Sequence, residues 1–312
     1  MTDLDGDAGL TTDERQRLAA IRAAACLDEL VALTDATSVD DAYFAAKAEW
    51  FTLRNRALES VSTIGGLPGR AVEIDGHRFA VHGVTHADTT AEREHLREHV
   101  RDLLDAGASV YCEQGIRPMY FADLEGVCEM DDLRWAAAEA AALDEAGGGE
   151  TVVAELVDNA GAVADELREL AFATIDSGRD VYGDEFATAL GDVATSFLTG
   201  PTDRSTAVDF ESFVRSSRAS REPETLAQLQ HYYECRLLPQ PLERAWLRRH
   251  DPELELFTHA RNARMADSLV YHNDRAERVH AIVGAAHQPG VVHYLERIAD
   301  GSRSADGFEP TS

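Results

Sequence analysis

The stretch HRFAVHGVTH, from His77 to His86, decides the predicted fold. Its apolar run predicts a buried β-strand, and a second such run precedes it at Arg70–Ile74. The Asp75-Gly76 pair between the two runs predicts a tight turn, so the two strands should form a hairpin. Gly83 lets the backbone turn sharply where a side chain would obstruct it, and His86 is then expected at the carboxyl end of the second strand.

The same order of residues returns near the end of the chain. The sequence AIVGAAH, from Ala281 to His287, is again an apolar strand followed by glycine, two residues and histidine. In open α/β sheets, ligands bind at the carboxyl ends of the strands. A histidine at such a place can ligate a metal or transfer protons near neutral pH. The two Gly-x-x-His turns, with Gly83 and Gly284, therefore predict one shared polar site.

A third element of this site lies between the two turns. Thr89 and Glu92 are spaced as a capping box that begins a helix, and Gly107 is expected to end it. The short strand that follows, Ser109–Glu113, completes a βαβ unit with a right-handed crossover and parallel strands. Glu113 should therefore emerge at the same sheet edge as His86. Two histidines and one glutamate form a donor set that divalent metals accept.

The predicted fold class is α/β, with a small central mixed sheet that contains the hairpin and the βαβ unit. Many helices surround this sheet, and the N-terminal segment is also helical. The predicted organisation is a helical segment at 1–66 and an α/β domain at 67–300, with a helical insertion at about 131–256. A disordered tail is expected at 301–312.

Composition excludes several classes of function. The 312 residues carry a formal net charge of −28, and Lys47 is the single lysine among the 29 basic residues. An acidic, lysine-poor chain resembles proteins of extreme halophiles, and its charge disfavours binding to nucleic acid or to an anionic membrane. We find no signal peptide and no apolar run of spanning length, so we expect a soluble, cytoplasmic protein. Four cysteines without a C-x-x-C pair predict neither a disulfide framework nor a cysteine-rich zinc site.

A competing motif lies on the predicted helix after the first turn. The sequence HLREH, from His95 to His99, matches the H-x-x-E-H pattern of inverted zinc peptidases and places both histidines on one helix face. This helix is a short, charged crossover in a chain rich in glutamate, where such a match arises readily by chance. We therefore favour the site formed by the two turns.

The ordered set of motifs resembles the TraB/Tiki family, within a superfamily that includes erythromycin esterases and ChaN-like haem-binding proteins. The resemblance covers about residues 77–116 and 257–299. It rests on Gly83–His86, Glu113, the helix motif RNARMA at Arg261–Ala266 and Gly284–His287.

The resemblance implies a common site made by His86, Glu113, Arg261 and His287. It also implies hydrolysis of a peptide, ester or lactone bond, with a divalent metal such as Mn, Co or Zn held by His86, Glu113 and His287. Arg261 is then expected to stabilise negative charge on the substrate oxygen. Without a metal, either histidine is expected to act as general base. The alternative is a non-catalytic protein that binds haem or a small ligand through one histidine; the substrate and any homo-oligomer stay open.

Overall fold

We analysed a computed structural model of the chain, which describes residues 9–58, 61–147, 210–273 and 276–311. The first helices are α1 (Thr12–Ala23), α2 (Leu27–Thr34), α3 (Val39–Ala57), α4 (Thr90–Asp105), α5 (Ile116–Tyr120) and α6 (Asp132–Gly147). The later helices are α7 (Phe210–Arg221), α8 (Leu226–Arg236), α9 (Gln240–His250), α10 (Pro252–Glu255), α11 (Arg261–His272) and α12 (Gln288–Ala299). The strands are β1 (Thr63–Ile64), β2 (Leu67–Ile74), β3 (His77–Val84), β4 (Ser109–Cys112), β5 (Val127–Glu129) and β6 (Arg278–Gly284).

The six strands form one mixed sheet in the order β1-β2-β3-β6-β4-β5. The hairpin is confirmed, because β2 and β3 pair antiparallel with Val72 opposite Phe79. Strands β3 and β4 run parallel as expected, yet they are not neighbours: β6 lies between them and pairs in parallel with both. The last strand of the chain therefore places the second Gly-x-x-His turn between the first turn and the end of β4.

Alternate side chains of β6 are buried on opposite faces of the sheet, as the two-residue period of a strand requires. Val279, Ala281 and Val283 pack on one face with α11 and α12, whereas Ile282 packs on the other face with α4 and β4. Both faces are covered by helices, which is the expected arrangement for parallel strands. The α/β fold class is thus confirmed, with the carboxyl ends of β3, β6 and β4 at one edge.

The N-terminal segment is helical only as far as Ala57, and not to residue 66 as expected. Helices α1–α3 pack with α9 in a separate core in which Tyr43 stacks on Trp246 at 4.9 Å between ring centroids. The chain then forms β1, which pairs antiparallel with β2. The extended segment around Thr63 is too short to show the alternation of apolar and polar residues that indicates a strand. Its structure depends on pairing with β2.

The end of the chain differs from the expected disordered tail. Phe308 is buried beneath the guanidinium of Arg264, which lies 3.9 Å from the ring centroid. Arg264 also donates to the carbonyl of Glu309 at 2.6 Å. Residues 301–311 are therefore held by a cation–π contact and hydrogen bonds, which composition does not reveal.

The insertion expected at 131–256 is helical wherever the structure describes it, in α6 to α10, and its middle lies outside the described residues. Among the helices that are described, none has the length and apolar composition that a membrane span requires.

Candidate active site

The site lies at the sheet edge where three parallel strands end. The amide of Glu113 donates to the carbonyl of Ile282 at 2.9 Å, and the amide of Ala285 donates to the carbonyl of Val84 at 2.9 Å. These bonds continue the backbone hydrogen bonding of the sheet beyond the strand ends. They hold together the loops that follow β3, β6 and β4. Four of the predicted site residues, His86, Glu113, Arg261 and His287, converge here from distant parts of the sequence.

Glu113 is the centre of the cluster and is 2% exposed. Its Oε2 accepts the amide of Gly284 at 2.7 Å, and its Oε1 accepts Nη2 of Arg261 at 2.6 Å. Both imidazoles face the same carboxylate: Nε2 of His287 lies 3.5 Å from Oε1, and Nε2 of His86 lies 3.8 Å from Oε2. His86 is the most exposed member at 37% of its side chain, so the cluster opens to solvent on that side.

Arg261 is held differently from what we expected. Its Nη2 bonds Asp132 at 2.5 Å as well as Glu113, its Nε bonds Asp132 at 2.8 Å, and its Nη1 donates to the carbonyl of Phe257 at 3.2 Å. The guanidinium is therefore committed to two carboxylates and one carbonyl. These bonds use four of its five N–H groups and position Glu113, and the expected contact of Arg261 with a substrate oxygen stays a prediction.

The charges of this cluster shift the pKa values of both carboxyl groups. Burial favours the neutral form of Glu113, but the charge of Arg261 and the hydrogen bond from the Gly284 amide oppose it and hold the pKa far below its usual range. Burial instead dominates for Asp132, and its pKa rises to about 6 although Arg261 opposes the shift. Glu113 is therefore the carboxylate that stays ionised in the site.

His287 is oriented by a chain of side-chain amides. The Nδ2 of Asn262 donates to Oε1 of Gln240 at 3.0 Å, so its Oδ1 is free to accept from Nδ1 of His287 at 2.7 Å. This hydrogen bond places the ring proton on Nδ1 and leaves the lone pair of Nε2 facing Glu113. Burial lowers the pKa of His287 to about 4, so the ring is neutral at physiological pH.

Behind Gln240 a buried polar network reaches the N-terminal helices. His259 shares the Oε1 of Gln240 at 3.3 Å, and its Nε2 lies 4.0 Å from Oε2 of Glu243. Glu243 in turn bonds Lys47 at 2.8 Å and Tyr43 at 2.5 Å. Sequence reasoning did not assign these residues, although a single lysine inside an apolar helical run was a usable signal.

A second supporting cluster fixes the loop that carries His86. The carboxylate of Glu92 accepts the amide of Thr85 at 2.7 Å and the hydroxyl of Tyr120 at 2.8 Å. Thr89 does cap the helix, but Glu92 reaches back to Thr85 and not to the Thr89 amide, so the expected capping box is only half formed. Burial raises the pKa of Glu92 despite these hydrogen bonds.

Both turn glycines are required by close packing. A Cβ on Gly284 would lie 2.5 Å from Nε2 of His86 and 3.3 Å from Oε2 of Glu113. A Cβ on Gly83 would lie 1.9 Å from the side-chain oxygen of Gln230. Glycine is therefore needed at both positions for space, whereas neither has the positive φ of a sharp glycine turn: Gly83 lies in β3 and Gly284 ends β6.

The donor set suits a divalent metal in the types of its ligand atoms. Two ligand atoms at ~2.1 Å from a tetrahedral metal lie about 3.4 Å apart, close to the His287–Glu113 separation. A water that bridges two acceptors would hold them more than about 4 Å apart, which is farther than the 3.5 Å between His287 and Glu113. In the part of the chain that is described, no group of three or more His, Cys, Asp or Glu is already arranged to hold a metal ion. Coordination by all three donors therefore requires the half-exposed ring of His86 to turn inward.

The competing H-x-x-E-H pattern forms no comparable cluster. The rings of His95 and His99 do share one face of α4, with centroids 4.3 Å apart. However, His99 donates its Nδ1 proton to the carbonyl of His95 at 2.8 Å, and Glu98 is exposed. The two histidines pack beside Gly66, where a Cβ would meet the His99 ring at 1.9 Å.

Comparisons with known proteins add no further assignment. No protein-family model, no curated protein and no solved structure matches this chain significantly.

Proposed function

We propose that the chain is a hydrolase of the TraB/Tiki type that cleaves a peptide, ester or lactone bond. Its substrate would be a peptide or a small molecule in the cytoplasm. The observation that carries the proposal is the convergence of two Gly-x-x-His turns on one buried, ionised glutamate. His86, Glu113 and His287 come from three strand ends that are distant in sequence, and Nε2 of each imidazole faces the Glu113 carboxylate.

Such a convergence is electrostatically unfavourable unless a cation or a proton joins it. The Nε2 lone pair of His287 and the ionised carboxylate of Glu113 repel each other, and burial strengthens this repulsion because few water molecules screen it. Structural carboxylates usually receive hydrogen bonds from donors on all sides. Glu113 receives two from Arg261 and the Gly284 amide, and its remaining capacity faces the two imidazoles. The cluster is therefore suited to chemistry.

The side chains have separable roles. Without a metal, His287, neutral and with the Nε2 lone pair available, takes a proton from the attacking water as the water oxygen bonds to the substrate carbonyl carbon. When the carbonyl carbon–leaving group bond breaks, His287 returns that proton to the leaving atom. Glu113 stabilises the imidazolium formed between these steps. Half-exposed His86 lies at the entrance, where a substrate arrives.

Two further residues act through these three. Arg261 keeps Glu113 ionised and fixes its carboxylate, with Asp132 as its second partner. Asn262 fixes the tautomer of His287. A divalent metal such as Mn, Co or Zn held by His86, Glu113 and His287 would polarise the carbonyl and lower the pKa of water.

The test combines metal analysis with turnover. Protein purified in molar KCl is assayed by elemental analysis and against activated esters, lactones and peptides. We expect a bound divalent metal and turnover in the wild type. His287→Ala and Glu113→Gln should each lose at least about 100-fold in kcat/KM, the range of general acid–base catalysis. Circular dichroism checks that each variant is folded.

A matched control lies on the same fold. The double variant His95→Ala and His99→Ala removes two histidines outside the cluster and should keep metal content and turnover. Absence of both metal and turnover across the panel, or unchanged turnover in His287→Ala, would overturn the proposal. A visible absorption band that depends on His86 or His287 would instead favour the haem-binding alternative.

A further inference from the structure

A second cavity lies apart from the cluster around Glu113. It has a volume of about 150 Å³, and helices α1, α3, α8 and α12 contribute to its wall together with β2. Three arginines line it, Arg22, Arg54 and Arg70, next to Trp50. The chain has a formal net charge of −28, so three guanidinium groups around one small cavity form an unusual local concentration of positive charge.

The arginines are not neutralised by their surroundings. Arg70 bonds Glu234 at 2.8 Å, but in the described parts of the chain neither Arg22 nor Arg54 has a side-chain hydrogen bond or ion pair. Burial, followed by the charges of Arg22 and Arg70, lowers the pKa of Arg54 to about 10. Glu296 also lines the cavity, and burial raises its pKa. The cavity therefore retains excess positive charge.

Several polar atoms at the cavity also lack partners among the described residues. They are Nε1 of Trp50, Nε of Arg54, Oε1 of Glu234 and Nε2 of His293. Trp50 is only 5% exposed, so its indole N–H is shielded from bulk water. Buried donors are normally paired, so these unpaired atoms favour a site at which a hydrogen-bonding group can enter. Here two of the unpaired atoms, on Trp50 and Arg54, are donors.

The indole of Trp50 also places two of the charges. The guanidinium carbon of Arg22 lies 5.9 Å from the centroid of the Trp50 ring, and that of Arg54 lies 5.5 Å from it. Cation–π contacts of this kind fix the direction of a guanidinium without using its hydrogen-bond donors. The donors of Arg22 and Arg54 thus remain available to a ligand.

We propose that this cavity binds a small oxyanion, the phosphate or carboxylate group of a ligand. Guanidinium groups recognise both oxyanions through paired N–H donors, and a planar fork favours them over a spherical anion. The volume suits a small anionic molecule, and the chain's overall negative charge disfavours a nucleic-acid polymer. This inference does not depend on the hydrolase proposal, since the three arginines make no contact with Glu113, although Gln240 at the cavity also belongs to the amide chain behind His287.

The test is isothermal titration calorimetry of the full chain at constant ionic strength in KCl, with inorganic phosphate in one arm and succinate in the other. We expect saturable binding of at least one of them. Arg54→Gln and Arg22→Gln should each weaken it by at least tenfold. Arg22 is exposed, so its substitution leaves the core unchanged and decides the question should Arg54→Gln fail to fold.

The control is Arg17→Gln, which removes one positive charge from the same helix α1. Arg17 pairs with Glu49 at 2.7 Å and does not line the cavity, so binding should stay unchanged. Binding that saturates and depends on Arg22 and Arg54 supports the inference for the anion concerned. Heats that do not saturate in either arm, or an equal loss in Arg17→Gln, overturn it.

Discussion

Replacing Arg261 with methionine should lower the free energy of unfolding by an amount that follows from the distances between its two carboxylate partners. Oε1 of Glu113 and Oδ2 of Asp132 lie 2.6 Å and 2.5 Å from the same nitrogen, Nη2 of Arg261. The two oxygens are therefore at most about 5 Å apart, and at an effective dielectric constant of ~20 two unit charges at this distance repel by about 3 kcal/mol. Removal of one partner from a buried ion pair typically costs about 3–5 kcal/mol, which agrees with this value.

The pH dependence of this loss has a definite sign. Without Arg261, one of the two carboxyl groups should take up a proton, and its folded-state pKa should lie above the unfolded value. Such a group contributes stability at low pH and loses it as pH rises through the folded pKa. Asp132 already has a pKa of about 6 in the wild type, so it is the expected acceptor. Arg261→Met should therefore be less destabilised at pH 5 than at pH 8.

The assay is thermal unfolding at pH 5 and pH 8, followed by circular dichroism. At roughly 2–4 °C per kcal/mol, a loss of about 3–5 kcal/mol lowers the Tm of Arg261→Met by about 6–20 °C at pH 8. Asp132→Asn in the same background should recover part of this loss, because it removes the repulsion. The control is Arg93→Met, which breaks the half-exposed pair with Asp88 and should cost at most about 1 kcal/mol. A Tm within 2 °C of the wild type for Arg261→Met would refute the reasoning.

Three further variants test the supporting residues. Asn262→Leu removes the acceptor that fixes the neighbouring imidazole tautomer, and we expect at least a tenfold loss in metal affinity, measured by competition with a chelator, with the fold kept. Lys47→Met leaves Glu243 buried without its ammonium partner and should lower the unfolding free energy by about 3–5 kcal/mol, measured by urea denaturation; an unchanged midpoint would contradict this. Gly284→Ala places a methyl 2.5 Å from Nε2 of His86 and should abolish metal binding and turnover, whereas retained metal would show that the turn can relax.

The sequence was sufficient to predict the parts of the site that depend on local pattern. Apolar runs and the Asp75-Gly76 turn predicted the hairpin, and glycine followed by histidine identified both turns. Glu113 followed from its place after a strand parallel to β3. These features are set by short-range periodicity and turn chemistry, which a single sequence displays directly.

The partners of these residues could not be predicted, because they arise from contacts between distant segments. Asp132 lies 129 positions from Arg261, and Glu243 lies 196 from Lys47. The position of β6 between β3 and β4 also depends on contacts between distant segments, because the apolar pattern of β6 does not indicate which strands it pairs with. The bonds of Arg261 to Asp132 could not be predicted for the same reason, since nothing in the sequence links these two residues.

Salt screens the acidic surface of the chain much more strongly than it screens the buried charges of the site. Exposed charges are screened over about 3 Å in molar salt, so the surface excess of Asp and Glu changes the pocket little under such conditions. Glu113, Asp132 and Arg261 are almost completely buried, and salt screens their mutual interactions far less. The ionisation of Glu113 therefore depends on Arg261 and the Gly284 amide, and an adaptation of the surface to salt can proceed without altering it. This separation explains how a site that needs one ionised carboxylate can persist in a chain with a net charge of −28.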